Sequence, residues 1–235
     1  MKRKNKRILL KIFLILILIS LPALFNFVLK SPMFLVKNII ITTDYDISAN
    51  QELVKILERI KDQNIFLVNE KELAEKIKST DIKIKEVRVQ KKFPGKILVE
   101  IESRQALAAI PSGEKFFLVD KEGLVFAEEK EARSLPILNL GLQNIGVGSR
   151  IDERNGKTAL IILDSLKGKE EIVSITVISE EIQMQFREGS LVLFPVSDEI
   201  NAKINALQMI LKRLRIEGRK PSKIDLRFEK PVVSF

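Results

Sequence analysis

The sequence predicts an α+β protein: a single N-terminal transmembrane helix, then an α/β domain, then a mixed β-rich domain with two helices. Three observations support this. An almost unbroken apolar run extends from Ile8 to Leu29 behind a flank of Lys2, Arg3, Lys4, Lys6 and Arg7. A strand, two capped helices and two alternating segments then follow between residues 34 and 103. From residue 104 to 235, short stretches of strand character are interrupted by two stripes of helical period.

The apolar run is long enough to cross a bilayer, since about 20 residues at 1.5 Å rise span a hydrocarbon core of about 30 Å. A helix also satisfies its own backbone hydrogen bonds there. Positive flanks stay on the cytoplasmic side. Residues 1–7 are therefore expected as a cytoplasmic tail and residues 8–29 as one span. Everything beyond Lys30 is then expected on the extracytoplasmic, or periplasmic, side of the cytoplasmic (inner) membrane. A cleaved signal peptide is the rival reading. Its apolar region would run roughly 7–15 residues and end in a small-x-small site, which Pro22-Ala23-Leu24-Phe25-Asn26-Phe27 lacks. The uncleaved anchor is preferred.

Charge and composition narrow the function. The formal net charge is +9, but seven of the 40 Lys and Arg lie within residues 1–30 with no acidic residue among them. Beyond Lys30, 33 basic residues face 31 acidic ones. The excess is an orientation signal, and no nucleic-acid partner is expected. The chain contains neither Cys nor His. That excludes Ser-His and Cys-His catalysis, disulfide frameworks, haem attachment through Cys and the usual zinc sites. Acid/base pairs and carboxylate-only metal sites remain.

In the first extracytoplasmic region, Phe34 to Thr42 reads as a strand by its β-branched content. Asp44 to Asp46 turns the chain. Ser48 with Gln51 is expected to cap a helix carrying Leu53, Ile56, Leu57 and Ile60 on one face. Asn69 with Glu72 is expected to cap a second, Glu70 to Lys78, with Leu73, Ala74 and Ile77 buried. Val87 and Val89 alternate with Arg88 and Gln90, Phe93-Pro94-Gly95 turns, and Ile97, Val99 and Ile101 alternate with Leu98, Glu100 and Glu102. In the second region, helices are expected over Asn155–Leu166 and Asp198–Ile216. Strands are expected at Lys115–Val119, Gly123–Ala127, Ile172–Val177, Ile182–Phe186 and Ser190–Phe194, with Arg187-Glu188-Gly189 as a hairpin turn.

The strand, helix, helix, strand, strand order just outside a membrane resembles a POTRA (polypeptide-transport-associated) domain, here 34–103. The motifs Asn64-Ile65-Phe66, Val87-Arg88-Val89 and Phe93-Pro94-Gly95-Lys96-Ile97-Leu98-Val99 are similar to those of the FtsQ/DivIB family of bacterial cell-division proteins. The resemblance continues through Leu118 to Phe126, Leu135-Pro136-Ile137-Leu138 and Ile224-Asp225-Leu226-Arg227-Phe228, in a β domain at 104–235. It departs at Ser103 and Ala106, where the family usually has Glu and Pro.

Several other features have bland readings that outweigh the functional ones. Asp120-Lys121-Glu122-Gly123 is a polar tight turn rather than an acid/base pair. Lys212, Arg213, Arg215, Arg219, Lys220 and Lys223 complement the dipole at a helix C-terminus. Gly146-Val147-Gly148 lacks the residues of a phosphate loop and is read as a turn.

The C-terminal segment invites the opposite preference. Ile224 to Phe228 alternates like a strand, and a last strand is expected at a sheet edge, where unpaired backbone groups can accept another extended segment. In the resembled family this end of the ectodomain is the expected docking region. The expected partner-binding residues are Asp225, Leu226, Arg227 and Phe228, with Glu229, Val232, Val233 and Phe235 added by adjacency. Arg227 and Phe228 lead, because Arg and aromatic residues are enriched at interface hot spots. The resemblance implies a non-enzymatic divisome scaffold without catalytic residues, metal or cofactor, linking early and late division proteins. It implies a bitopic FtsB/FtsL-type complex at the β domain and other division proteins at the POTRA domain, with membrane lipid met through one helix. A POTRA-type chaperone or polypeptide-transport module serving envelope assembly, and a cell-wall enzyme held at the membrane, are the alternative classes.

Overall fold

The computed structural model describes residue 27 and residues 31–141 and 145–235. The expected tail 1–7 and all of the expected span 8–29 except Phe27 lie outside the described residues. Among the described residues no helix is long and apolar enough to cross a membrane. The chain divides after Ser103 into two compact units.

The first unit is a three-stranded sheet with two helices on one face. Its elements are β1 (Asn38–Thr43), α1 (Gln51–Ile60), α2 (Glu70–Lys78), β2 (Ile84–Lys92) and β3 (Lys96–Ser103), and the strands lie in the order β1-β3-β2. β1 is parallel to β3, and β2 is antiparallel to it. The alternation read from the sequence sets the faces: Ile97, Val99 and Ile101 of β3 are buried under Leu53, Leu57 and Ile60 of α1 and Leu73 and Ile77 of α2.

Local chemistry fixes the boundaries. The first strand starts at Asn38 rather than Phe34, because Ser31 caps a 3-10 turn at Pro32–Phe34 and Leu35 then bridges to Asn64. The cap of α1 is Asn50 instead of Ser48. The Asn50 side-chain oxygen accepts the Leu53 N–H at 3.0 Å, while its amide donates to Thr80 at 2.8 Å and Tyr45 at 3.3 Å. Ser48 is taken up by an earlier 3-10 turn, Ile47–Ala49, where its N–H and hydroxyl both donate to Asp46. The Asn69 half of the expected α2 cap is present, Asn69 Oδ1 accepting from the N–H groups of Lys71 and Glu72, whereas the Glu72 carboxylate pairs with Lys76 at 2.7 Å.

The second unit is built on a nine-stranded sheet. Its elements are β4 (Ala108–Ser112), β5 (Lys115–Val119), β6 (Val125–Glu129), β7 (Ile137–Asn139), α3 (Arg154–Leu166), β8 (Ile172–Ile178), β9 (Glu181–Phe186), β10 (Leu191–Pro195), α4 (Ile200–Glu217), β11 (Lys223–Asp225) and β12 (Val232–Ser234). The strand order is β12-β11-β10-β9-β8-β7-β4-β5-β6.

Its main core is shared by α3, α4 and the sheet. Register carries one apolar row across six strands: Leu138, Ile175, Met184, Val192, Ile224 and Val233 are successive partners. The first five have no exposure. A smaller cluster of Ala109, Leu118, Phe126 and Ala127 comes from β4, β5 and β6, in which Ala109, Leu118 and Ala127 are successive partners.

The Asp120–Gly123 segment is a turn closed by Gly123 N–H onto the Asp120 carbonyl at 3.1 Å. The buried Asp120 carboxylate accepts the N–H groups of Glu122 and Leu124 and is paired with Arg104 at 2.6 Å. Gly146–Ser149 is likewise a turn, closed by the Ser149 N–H onto the Gly146 carbonyl.

Candidate partner-docking edge

The C-terminal hairpin is built by one side chain that turns the chain and one strand that closes the sheet. β11 pairs parallel with β10, placing Ile224 beside Val192 and Asp225 beside Leu193. The Leu226 N–H adds a bond to the Leu193 carbonyl at 2.8 Å, and the Leu226 side chain enters the core with no exposure.

There the strand ends, because Asp225 captures the next residue. Its Oδ1 accepts the Arg227 N–H at 3.1 Å and Nε at 3.0 Å, and its Oδ2 accepts Nη2 at 2.6 Å. The remaining Arg227 nitrogen, Nη1, donates to Glu181 at 2.6 Å. This forked geometry matches a planar guanidinium to carboxylates. Hydrogen bonds from the Arg227 side chain hold the Asp225 carboxyl below its ordinary range, although burial opposes them. The same Asp225 contact pushes the Arg227 guanidinium up. Glu181 is also lowered, first by the Gln183 amide and further by Arg227.

The chain then returns as β12, antiparallel to β11, with Val232 opposite Asp225 and Ser234 opposite Lys223. This placement corrects the sequence expectation. The strand containing Asp225 is three residues long and lies second in the sheet, and the edge is β12. Ile224 to Phe228 does not continue as a strand, since the Asp225 clamp bends the backbone at Arg227.

The expected site residues accordingly fall into two groups. Asp225 and Leu226 are buried, Val233 packs partly on the core, and Arg227 is tied to two carboxylates. Phe228, Glu229, Val232 and Phe235 are exposed, with Phe228 at 57%, Val232 at 51% and Phe235 at 58%. Two residues outside the expected set support the exposed group. Lys203 of α4 donates to the Phe228 carbonyl at 2.6 Å, and the Arg219 guanidinium lies 3.6 Å from the centre of the Phe235 ring. Arg219 belongs to the basic cluster noted in the sequence. Of that cluster, Arg213 and Arg219 pair with Glu217 and Arg215 pairs with Glu170. Glu181 and Lys203 carried no signal linking them to this hairpin.

Comparison with known proteins agrees with this architecture unit by unit. Residues 34–104 match the model of the POTRA domain, FtsQ-type, and residues 108–227 match that of Cell division protein FtsQ/DivIB, C-terminal. The second match stops at Arg227, just short of the exposed group. The cell division protein DivIB of Clostridium botulinum strain Hall is 30% identical over 238 residues, covering 97% of this chain and 90% of that protein. DivIB of Clostridium tetani is 26% identical over 87% of this chain and 80% of its own length. The cell division protein FtsQ of Caulobacter vibrioides is 26% identical over 61% of this chain and 46% of its length. With an FtsQ-type POTRA unit followed by the FtsQ/DivIB C-terminal unit, the chain belongs to the FtsQ/DivIB family of cell division proteins.

Proposed function

We propose that this protein is a non-enzymatic scaffold of the bacterial divisome that works by recruiting other division proteins. In this reading residues 8–29 span the cytoplasmic membrane once, residues 1–7 stay in the cytoplasm, and both units act outside it. The POTRA unit meets other division proteins, and the β domain receives a short bitopic complex of the FtsB/FtsL type along β12. The observation that carries the reading is the sheet edge itself. On its outer side β12 offers backbone donors and acceptors that no strand pairs with among the described residues, with exposed Val232 in the strand, Phe235 just after it and Phe228 in the preceding loop. That combination suits β-augmentation, in which main-chain bonds give affinity and side chains give specificity.

The test is site-specific crosslinking in dividing cells, with a photoreactive residue at Val232 of the full-length chain. Crosslinks to bitopic division proteins, lost on Phe228→Ala or Phe235→Ala while protein level is unchanged, are the expected result. Crosslinks to none of the division proteins would reject the docking edge.

A further inference from the structure

We propose that the first unit carries a membrane-contacting patch of its own, made of Met33, Phe34, Phe66, Leu67 and Phe93, which inserts into the interface of the bilayer that holds the span. The proposal rests on the bitopic reading above. Three separate segments meet to form the patch. Ile65 N–H bonds to the Phe34 carbonyl at 2.8 Å, and Lys37 N–H bonds to the Gly95 carbonyl at 2.9 Å, so residues 33–37 run between the 64–67 loop and the 93–95 turn. The approach to the turn is close enough to require glycine: a Cβ at Gly95 would lie 2.4 Å from the Leu35 carbonyl oxygen.

The rings form a chain, with centroids 5.1 Å apart from Phe34 to Phe66 and again from Phe66 to Phe93. Met33, Leu67 and Phe93 are 61%, 68% and 57% exposed, and Phe66 is 44% exposed. Large apolar side chains grouped this way on a surface mark a contact with something less polar than water.

Chain length supplies the occupant. Leu29 ends the apolar run, and Met33 follows four residues later, a reach of at most roughly 15 Å. The patch therefore cannot lie far from the membrane surface if the run spans it. Its charge setting agrees. Within 31–38, 60–69 and 92–97 there are four lysines, Lys37, Lys61, Lys92 and Lys96, against the single acid Asp62, and all four lysines are exposed. Aromatic and long aliphatic side chains carried on lysine-rich segments favour the headgroup region of an anionic bilayer. The opposite end of the unit is polar, with the Tyr45 hydroxyl donating to Asp81 and Asp44 accepting the Ser103 N–H and hydroxyl.

Because the native chain has no Cys, single-cysteine variants allow a clean test. Leu67→Cys, Phe93→Cys, Ala49→Cys and Ala23→Cys are made in the full chain, labelled with a polarity-sensitive fluorophore and reconstituted in equimolar phosphatidylglycerol and phosphatidylcholine. Ala49 is exposed and follows β1, a strand that carries the chain roughly 20 Å away from the patch. Labels at 67 and 93 are expected to shift to the blue and to be quenched by spin-labelled lipid at a depth of roughly 5–10 Å, with the label at 49 quenched only by aqueous iodide. If 67 and 93 behave like 49 while 23 is quenched by lipid, the patch proposal is overturned and the single span survives. Shielding of 67 and 93 from iodide without quenching by lipid would mean a protein cover, and would also overturn it. Absence of lipid quenching at 23 would remove the span and the proposal together.

Discussion

Replacing Leu226 by alanine deletes three carbon atoms from a side chain that has no exposure and lies in the main core of the second unit. At about 0.8 kcal/mol per buried carbon group the transfer loss is roughly 2–3 kcal/mol. Incomplete collapse of the surrounding core brings the expected total to about 3–4 kcal/mol, within the usual range for Leu→Ala. The backbone bond from Leu226 to Leu193 is retained, so the whole effect is packing. Phe228, two residues on, is more than half exposed and outside that core, and Phe228→Ala is expected to change stability by less than about 1 kcal/mol. Hydrogen exchange of the amides of β10 and β11 in the full-length protein reads both variants, because these amides open with the core. Leu226→Ala should accelerate their exchange by roughly two orders of magnitude or more, and Phe228→Ala should leave it nearly unchanged. Equal acceleration by the two would refute the division of this hairpin into a buried half and a docking half.

Three further outcomes are expected. Since the Arg227 side chain holds the Asp225 carboxyl below its ordinary value of 3.8, the stability it contributes is full above that pH and is lost as pH falls through the lower folded value. Acid titration of wild type against Asp225→Asn should therefore show a shallower loss in the variant below pH 3.8; parallel curves would contradict the clamp. Gly95→Ala should force the Leu35 backbone aside and destabilise the first unit by about 1–3 kcal/mol, seen as faster exchange in residues 33–37. Asn69→Ala removes the acceptor for two N–H groups at the start of α2 and should cost about 1 kcal/mol, with Asn69→Asp restoring most of it in the same exchange measurement.

What the sequence made legible was what neighbouring residues decide. The cap at Asn69, the stripe of Leu73 and Ile77, and the alternation of Ile97, Val99 and Ile101 are local patterns, and each appears in the structure where its period places it. β7 is three residues long and exists because Ile137 meets Ala109 and Ser174 from distant parts of the chain. No window around residue 137 contains that information. The cap of α1 falls at Asn50 and not at Ser48 for a related reason: Asn50 is favoured by bonds to Tyr45 and Thr80, and Thr80 lies 30 residues away. At the C-terminus the residue types were legible and their positions were not. The alternation of Ile224, Leu226 and Phe228 resembled one strand, yet the Asp225 clamp ends it early and a second, shorter strand takes the edge. The Glu181 arm of that clamp comes from 46 residues away.

The apolar row that crosses the large sheet from Leu138 ends at Val233, which is only partly buried. An extended peptide laid along the outside of β12 would set one of its residues next in that row, beside the helices, and its immediate neighbours toward the opposite face. The sheet therefore imposes a reading frame on whatever it receives. A guest with an aliphatic residue in phase with Val233 and hydrophilic residues on either side continues the pattern, whereas the same guest shifted by one position buries a polar group and strands its apolar one in water. Discrimination among partners can thus arise from phase alone, before any particular side-chain contact is considered.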